Sequence, residues 1–310
     1  MRLPNFITKT EKFLTQSRKV AKTRRCKGLP FFANFATLHL CVFALIFFIP
    51  VAAQKVAILT PDKTDQSRVF AERLFGAFGK KITLLDADLA SAAYNSTTLS
   101  NPFNMTTDES KEVGMVIGCE FFVLVRSVIQ RRSASGRDDY YEAYAALYIV
   151  STRTGRLIEW RLQKFEAIKP ETSAKLLQES TTKLAADIEA RIAAIAKAEI
   201  SEPTPPEMEE PPDQNSPPNA NFRSPVPYRR IKPEYTAEAA LYDIAATVDI
   251  LVDTDAAGSI TRTEIVRWAG YGLDESVERA VRQMNWRPAE RNGKTLPMRF
   301  LLRYNFKKLT

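Results

Sequence analysis

The chain has 310 residues, 45% of them hydrophobic, which is enough for about two domains with accessory segments. Its formal net charge of +8 arises in residues 1–53, which contain nine Lys and Arg residues and one acid. The rest of the chain has 35 basic and 35 acidic residues, so its charge balance argues against a nucleic-acid-binding protein.

The first predicted segment, residues 1–53, is a basic leader that continues into an apolar stretch. Residues 38–51 contain a single polar side chain, that of His39. The small residues up to Ala53, before Gln54, are typical of a signal-peptide cleavage site. Counted from Leu29, the stretch also reaches the ~20 residues of a membrane span. The leader is therefore a signal peptide or a transmembrane anchor, and in both cases the chain after it is exported.

Residues 54–200 are predicted to form one α+β domain. A capping box at Thr106–Glu109 indicates the start of a helix that ends near Ile117. The period-two and helical patterns predict the remaining elements: strands over Val56–Leu59, Ile82–Leu85, Phe121–Ile129, Tyr140–Val150 and Leu157–Phe165, and helices over Gln66–Phe78 and from Pro170 to about Ala198.

Residues 201–229 are predicted to be a linker. They are rich in proline and show no apolar periodicity, so they cannot form a core of their own. Such a composition favours an extended, semi-rigid polyproline II spacer.

Residues 230–310 carry the most informative pattern. Thr247–Asp253 and Ile260–Trp268 alternate apolar and polar residues on either side of an Asp-rich turn, which predicts a hairpin. Leu273–Met284 has one apolar helical face, and Leu296–Phe306 alternates again. Three strands and one helix predict a two-layer sandwich.

The Asp-rich turn has a second interpretation. Asp253, Asp255, Gly258 and Glu264 fit part of a calcium-binding EF-hand loop. An EF-hand loop lies between helices, whereas these flanking segments alternate at period two, which favours the hairpin.

The C-terminal motifs resemble, in order and spacing, the C-terminal domain of TonB-type energy transducers. Besides the hairpin and the final strand, the motifs are Pro233-Glu234-Tyr235, Gly270-Tyr271-Gly272-Leu273-Asp274, Trp286-Arg287-Pro288-Ala289 and Asn292-Gly293-Lys294. The resemblance implies a domain that binds an extended segment of an outer-membrane receptor by β-strand addition and performs no chemistry. Two positions depart from the family: Thr236 replaces a proline, and Phe35 replaces the Ser that precedes the membrane His by four residues.

A looser resemblance covers residues 55–200. Gly118-Cys119-Glu120-Phe121-Phe122-Val123 and a Thr154-Gly155-Arg156 turn are similar to the N-terminal domain of TolB and to the curli secretion lipoprotein. The predicted fold class is therefore α+β, with a membrane or signal segment, a TolB-N-like domain, a linker and a TonB-C-like sandwich.

The predicted partner-binding site is the final strand, Pro297–Phe306. A sheet edge offers unpaired N–H and C=O groups to an added strand. The predicted contact residues are Arg299, Leu301, Arg303 and Asn305 on the open face of this strand, flanked by Pro233 and Tyr235. The alternatives are an edge blunted by the two arginines and an edge buried in a homodimer.

No enzyme, cofactor or metal is predicted. The exported part contains no histidine, the commonest general base and metal ligand. Cys119 has no histidine to activate it and is expected to be a small buried side chain, with an intermolecular disulfide as the alternative.

The predicted function is a TonB-like, periplasm-spanning energy transducer that supports transport. Its expected partners are an outer-membrane TonB-dependent receptor or another envelope protein, with an ExbB–ExbD-type motor and a second copy of the chain as further candidates. It would cross the inner membrane once, through the segment that contains His39, with a cytoplasmic N-terminus. The alternative is a periplasmic assembly scaffold, cleaved between Ala53 and Gln54, with no energy coupling.

Overall fold

The computed structural model describes residues 53–134, 136–212 and 221–308. These residues belong to one compact unit, Ala52–Thr310. The predicted membrane or signal segment, with His39, lies outside the described residues. Within the described ranges, no helix is both long and apolar enough to cross a bilayer.

The described residues before the linker form five strands and five helices. In chain order they are β1 (Gln54–Leu59), α1 (Asp65–Ala77), β2 (Ile82–Leu84), α2 (Ala87–Asn95), α3 (Thr107–Ile117), β3 (Phe121–Ala134), β4 (Arg137–Ser151), β5 (Leu157–Ala167), α4 (Pro170–Glu179) and α5 (Thr181–Ser201). The strands form one sheet in the order β2-β1-β3-β4-β5, which we call the first sheet. β1 runs parallel to β2 and β3, and the other pairs are antiparallel.

The first sheet has a core on each face. On one face, Leu74 of α1 and Ile188 of α5 belong to the same cluster as Val123 and Leu147 of the sheet. On the other face, Leu124 and Tyr148 belong to a cluster that includes residues of the C-terminal region. Because both faces are covered, the central strands are continuously apolar rather than alternating.

Two helices differ from the prediction in this region. The predicted single helix after Pro170 is divided at Ser180, whose hydroxyl donates to the carbonyl of Leu177 at 2.7 Å. Helix α2 was not predicted, because its short apolar pattern is weak. It begins after Asp86, whose carboxylate accepts the N–H of Asp88 and Leu89. The capping box of Thr106 and the α+β class are confirmed.

The C-terminal region contains eight strands and two helices. They are β6 (Phe222–Arg223), β7 (Val226–Pro227), α6 (Ala237–Leu241), β8 (Ala246–Thr254), β9 (Ile260–Arg267), α7 (Leu273–Arg282), β10 (Trp286–Arg287), β11 (Ala289–Arg291), β12 (Lys294–Leu296) and β13 (Met298–Phe306). β13, β8 and β9 form an antiparallel sheet in that order, which we call the C-terminal sheet. Val277 and Val281 of α7 share a core with Val248, Ile250 and Val252 of β8.

The turn between β8 and β9 is the predicted hairpin. The carboxylate of Asp255 accepts the N–H of Ala257 at 2.9 Å and of Ser259 at 2.8 Å. Its hydrogen bonds thus stabilise the turn itself, as expected for Asp in turns.

The predicted linker contributes strands to the C-terminal region. β6 pairs with β11, and β7 pairs with β10, although both lie within residues 201–229. The proline-rich composition did not indicate this pairing. A two-residue strand needs no core of its own when an existing strand offers its edge, and Pro227 is tolerated in such an edge strand.

The C-terminal region packs directly against the first sheet. The ring of Trp268 lies 5.6 Å from that of Tyr148, and the ring of Tyr271 lies 4.5 Å from that of Trp160. Asn104 joins the two regions through its side chain. Its Nδ2 donates to the carbonyls of Thr247 and Trp268 at 2.7 and 2.6 Å, and its Oδ1 accepts the N–H of Thr247 at 2.9 Å. These contacts fix the orientation of the C-terminal sheet.

Candidate functional site

The candidate site is the edge strand β13. It pairs with β8 on one side only, from Met298 opposite Thr254 to Phe306 opposite Ala246. Its burial alternates as predicted: Met298, Phe300 and Phe306 are buried, whereas Leu301 is 50% exposed.

The backbone of β13 offers hydrogen-bonding groups at this open edge. In an antiparallel ladder, alternate residues direct both their N–H and their C=O to the same side. The N–H of Arg299 donates away from β8, to the carbonyl of Glu209 at 2.9 Å. Leu301, Arg303 and Asn305 have the same parity, so their N–H and C=O groups also point to the open edge.

The side chains of these residues form a row of pairs across the outer face of the C-terminal sheet. Arg299 donates to both carboxylate oxygens of Asp253, each at 2.7 Å. Arg303 binds Asp249 in the same way, at 2.7 and 2.8 Å. We call these two Arg–Asp pairs the outer ladder. Next to it, the hydroxyl of Thr247 lies 2.8 Å from Oδ1 of Asn305.

The outer ladder neutralises the charges of this face. Asp249 and Asp253 are buried, at 3% and 2% exposure. Hydrogen bonds from Arg299 to Asp253 raise the pKa of this guanidinium above its ordinary value, and those to Asp249 do so for Arg303. The two predicted arginines therefore already have partners on the neighbouring strand.

The two flanking residues lie in the segment before α6. Pro233 is buried, so it offers no surface to a partner. Tyr235 is half-buried, and its hydroxyl lies within hydrogen-bonding distance of the carbonyls of Ala239 and Ile244. Its ring stacks on Phe306 with a centroid distance of 6.3 Å, which places it at the C-terminal end of β13.

Glu209 is a site residue that the sequence analysis missed. Besides the bond from Arg299, its carboxylate forms an ion pair with Arg291 of β11. Its signal in the sequence is the acidic segment Glu207–Glu210, which has the composition of a spacer.

The Gly270–Asp274 motif forms the turn that contacts the first sheet. Gly270 has φ +70°, and a Cβ at this position would lie 2.6 Å from the ring of Trp160, so only glycine fits. The carboxylate of Asp274 accepts the N–H of Ala269 at 2.9 Å and of Gly270 at 2.8 Å. Burial raises the pKa of Asp274 to about 7, although these two hydrogen bonds act to lower it.

Two further observations concern chemistry. Cys119 is buried, as predicted, and burial raises the pKa of its thiol to about 11. Across the ranges that the structure describes, no group of three or more His, Cys, Asp and Glu side chains is placed to hold a metal ion.

Comparisons with known proteins identify the C-terminal region. Residues 231–308 match the family model of the Gram-negative bacterial TonB protein C-terminal domain. No curated protein matches the chain.

Several solved structures are similar to parts of the chain. The hypothetical protein CT253 from Chlamydia trachomatis is 14% identical with a TM-score of 0.32, covering 46% of this chain and 99% of its own. The TonB C-terminal domain of Pseudomonas aeruginosa is 19% identical with a TM-score of 0.25, over 30% of this chain and 91% of its own. Lipoprotein GNA1162 from Neisseria meningitidis is 12% identical with a TM-score of 0.29, over 46% and 99%. At these identities and TM-scores, nothing further about this chain follows from them.

The family match agrees with the resemblance inferred from the C-terminal motifs. It supports a protein-interaction module of the bacterial envelope. Residues 231–308 are therefore a domain of the TonB C-terminal family.

Proposed function

We propose that this protein is a TonB-like adaptor of the bacterial envelope that binds an extended segment of an outer-membrane partner by adding it as a strand to β13. The observation that carries this proposal is the position of β13 at the edge of the C-terminal sheet, with the backbone groups of Leu301, Arg303 and Asn305 directed outward. Backbone hydrogen bonds would supply affinity, and side-chain contacts would supply specificity.

Leu301 is the side chain best placed to contact such a partner. It is half-exposed and lies on the outer face between the two pairs of the outer ladder, opposite the partly buried Leu251. An added strand would place alternate side chains on this face, beside Leu301. The paired Arg299 and Arg303 would then form the polar rim of an apolar contact. Tyr235 would lie at the end of this contact.

The test is a titration of the full chain with N-terminal peptides of outer-membrane receptors from the same organism, followed by backbone amide shifts. We expect the shifts to cluster over Arg299–Asn305. Amide shifts in other regions, without any over Arg299–Asn305, would exclude β13 as the docking edge.

Leu301→Asp is the sharpest variant for this titration. Losing a half-exposed leucine contact should weaken peptide binding by about tenfold, since such a contact contributes on the order of 1–2 kcal/mol. The matched control is Leu89→Asp on α2, where the leucine is 73% exposed and the helix packs on β1 and α3. Equal weakening by both variants would argue against a contact at Leu301. A charge reversal at Arg303 is less clean, because it would place a second carboxylate beside Asp249.

The proposal includes energy transduction through a single inner-membrane anchor with a cytoplasmic N-terminus, with the ExbB–ExbD-type motor as the force-generating partner. Transduction requires that the leader, residues 1–53, stays attached. N-terminal sequencing of the mature protein tests this directly. A mature N-terminus at Gln54 would exclude transduction and leave strand addition untouched.

A second candidate function is a static envelope-assembly scaffold without energy coupling. The packing of the C-terminal region on the first sheet favours it, because Asn104 and the contact between Trp268 and Tyr148 hold the docking edge in a fixed orientation. A scaffold needs such a fixed edge and tolerates a cleaved leader. An uncleaved leader that associates with a motor protein would exclude it.

A further inference from the structure

The predicted linker returns to the C-terminal sheet: it is joined to β9 through Arg156 at its beginning and contacts β13 directly near its other end. We call residues 202–212 the acidic strap. At its beginning, Glu202 accepts two hydrogen bonds from Arg156, at 2.8 and 2.9 Å. Arg156 also binds Glu264 of β9 at 2.9 Å, so the strap begins on the β9 side of the sheet.

Near its other end, the acidic strap contacts the opposite edge of the same sheet. The carbonyl of Glu209 accepts the N–H of Arg299 on β13, and its carboxylate is paired with Arg291. Glu210 is close enough to Arg299 to stabilise its positive charge. Pro211, which directly follows Glu210, is half-buried.

The length of the strap fits this path. Glu209 lies seven positions after Glu202, and at ~3.1 Å per residue an extended proline-rich segment of this length spans roughly 22 Å. Crossing from β9 to β13 requires about 10 Å, because neighbouring strands lie ~4.8 Å apart. The strap is therefore long enough to pass from one side of the sheet to the other without strain.

The bond between Glu209 and Arg299 lies where a partner strand would add. It occupies the first outward N–H of β13, and in the described part of the chain Leu301, Arg303 and Asn305 have no such backbone partner outside their sheet. The strap cannot extend this pairing far in either direction. Proline has no N–H to donate, and the four residues Glu207–Glu210 lie between Pro206 and Pro211.

We propose that the acidic strap is an internal competitor for the docking edge: it closes the Arg299 end of β13, and a partner must displace it to pair along the whole strand. This inference rests on the proposed function of β13 as a docking edge. The kind of partner follows from the contact that is replaced. It is an extended peptide with a carboxylate that reaches Arg291 in place of Glu209, followed by residues able to donate N–H groups where the strap has prolines.

The contact of Glu209 with Arg299 and Arg291 is weak enough to be displaced by a partner. It consists of a single backbone hydrogen bond and an ion pair whose two side chains are each 40% exposed. Exposed ion pairs contribute little and weaken with salt. A longer strand with several ladder hydrogen bonds would therefore replace it.

The test uses the full chain and a fluorescent peptide with the sequence of residues 202–212, added in solution. Glu209→Lys removes the ion pair with Arg291 and repels it. The matched control is Glu207→Lys, an exposed position with the same charge change on the same segment. If the strap closes the edge in nine-tenths of the molecules, opening it should tighten peptide binding about tenfold, measured by fluorescence anisotropy. The control should bind like the wild type.

A second variant guards against a strap that stays in place after one substitution. Replacing Glu207–Glu210 with Gly-Ser-Gly-Ser removes both the carboxylates and the local stiffness. In this variant the amide of Arg299 should exchange with solvent faster than in the wild type, while buried amides of β8, such as that of Ile250, keep their protection. This readout needs no partner.

Two outcomes would overturn the inference. One is equal peptide affinity in the wild type and in both opened variants, and the other is an Arg299 amide that exchanges equally fast in all of them. The proposed function fails separately. If the strap peptide binds the opened variants but receptor-derived peptides bind neither these nor the wild type, the strap still competes for the edge, and the outer-membrane partner is wrong.

Discussion

The two sheets of this protein bury their strands by different means. In the first sheet, β4 is buried on both faces by apolar contacts, and Ala143 to Val150 form a continuous buried run. In the C-terminal sheet, α7 covers one face, whereas the outer face buries Asp249 and Asp253 beneath arginines. β4 thus has no open face left for a partner. The C-terminal sheet keeps both a polar outer face and an open edge.

The two sheets, although they bury their strands differently, are also in direct contact. Trp268 and Tyr271 belong to the TonB-like domain, yet they are buried against aromatic residues of the first sheet. This contact converts two regions of different character into one unit. The docking edge therefore has a fixed position on a larger body, and the variants below test how strongly it is held.

The largest expected effect is that of Trp268→Ala. Trp268 is 1% exposed, packs on Tyr148, and donates from Nε1 to Ser110 at 3.3 Å. Its removal should lower the free energy of unfolding by about 3–5 kcal/mol, as for other buried aromatic residues. In urea unfolding, the transitions of both sheets should move together to a lower urea concentration. Separate transitions, with only one shifted, would show that the two regions are independent. Trp268→Phe loses the hydrogen bond and leaves a smaller cavity than Trp268→Ala, so it should cost less than the alanine variant.

The next effect is a pH dependence due to Asp274. Because its pKa rises from 3.8 in the unfolded chain to about 7 in the folded protein, the folded state binds the extra proton between these values. Its contribution to stability is complete below about pH 4 and is lost as the pH rises through about 7, by up to about 4 kcal/mol.

Asp274→Asn removes the titrating group but keeps its shape. Stability measured from pH 4 to pH 8 should therefore fall less steeply in this variant than in the wild type. Asp88→Asn makes the same change at an exposed position in the first turn of α2 and is the control. Parallel pH profiles for the wild type and Asp274→Asn would contradict the prediction.

The smallest effect tests the outer ladder. Asp249 accepts hydrogen bonds from Arg303 and, at 3.2 Å, from Arg267. Asp249→Ala leaves both arginines without this carboxylate and should cost about 2 kcal/mol, the range for hydrogen bonds to charged groups. Arg303→Ala should cost less than about 1 kcal/mol, since Arg303 is exposed and Arg267 still pairs with Asp249. Equal losses, measured by thermal unfolding, would show that the ladder depends on Arg303.

The sequence by itself determined the local elements of the C-terminal region. Period-two alternation predicted the hairpin and the final strand, and the apolar face of Leu273–Met284 predicted the helix that covers them. The same alternation predicts which side chains of β13 lie on its open face, and Leu301 is one of them. These features depend on spacing within a few residues, which the sequence displays directly.

Only the tertiary structure decided which distant segments meet. Gly270 and Tyr271 belong to a motif that carries the family resemblance, and their contact with Trp160 had no local signal. The return of Glu209 to Arg299 was equally hidden, because a proline-rich segment has the same composition whether it is a free spacer or lies on a sheet edge. Asn104 is one polar residue between the predicted strand Ile82–Leu85 and the predicted helix that begins at Thr106. Such contacts join residues far apart in the chain, and periodicity, which reports on a residue's own element, carries no information about them.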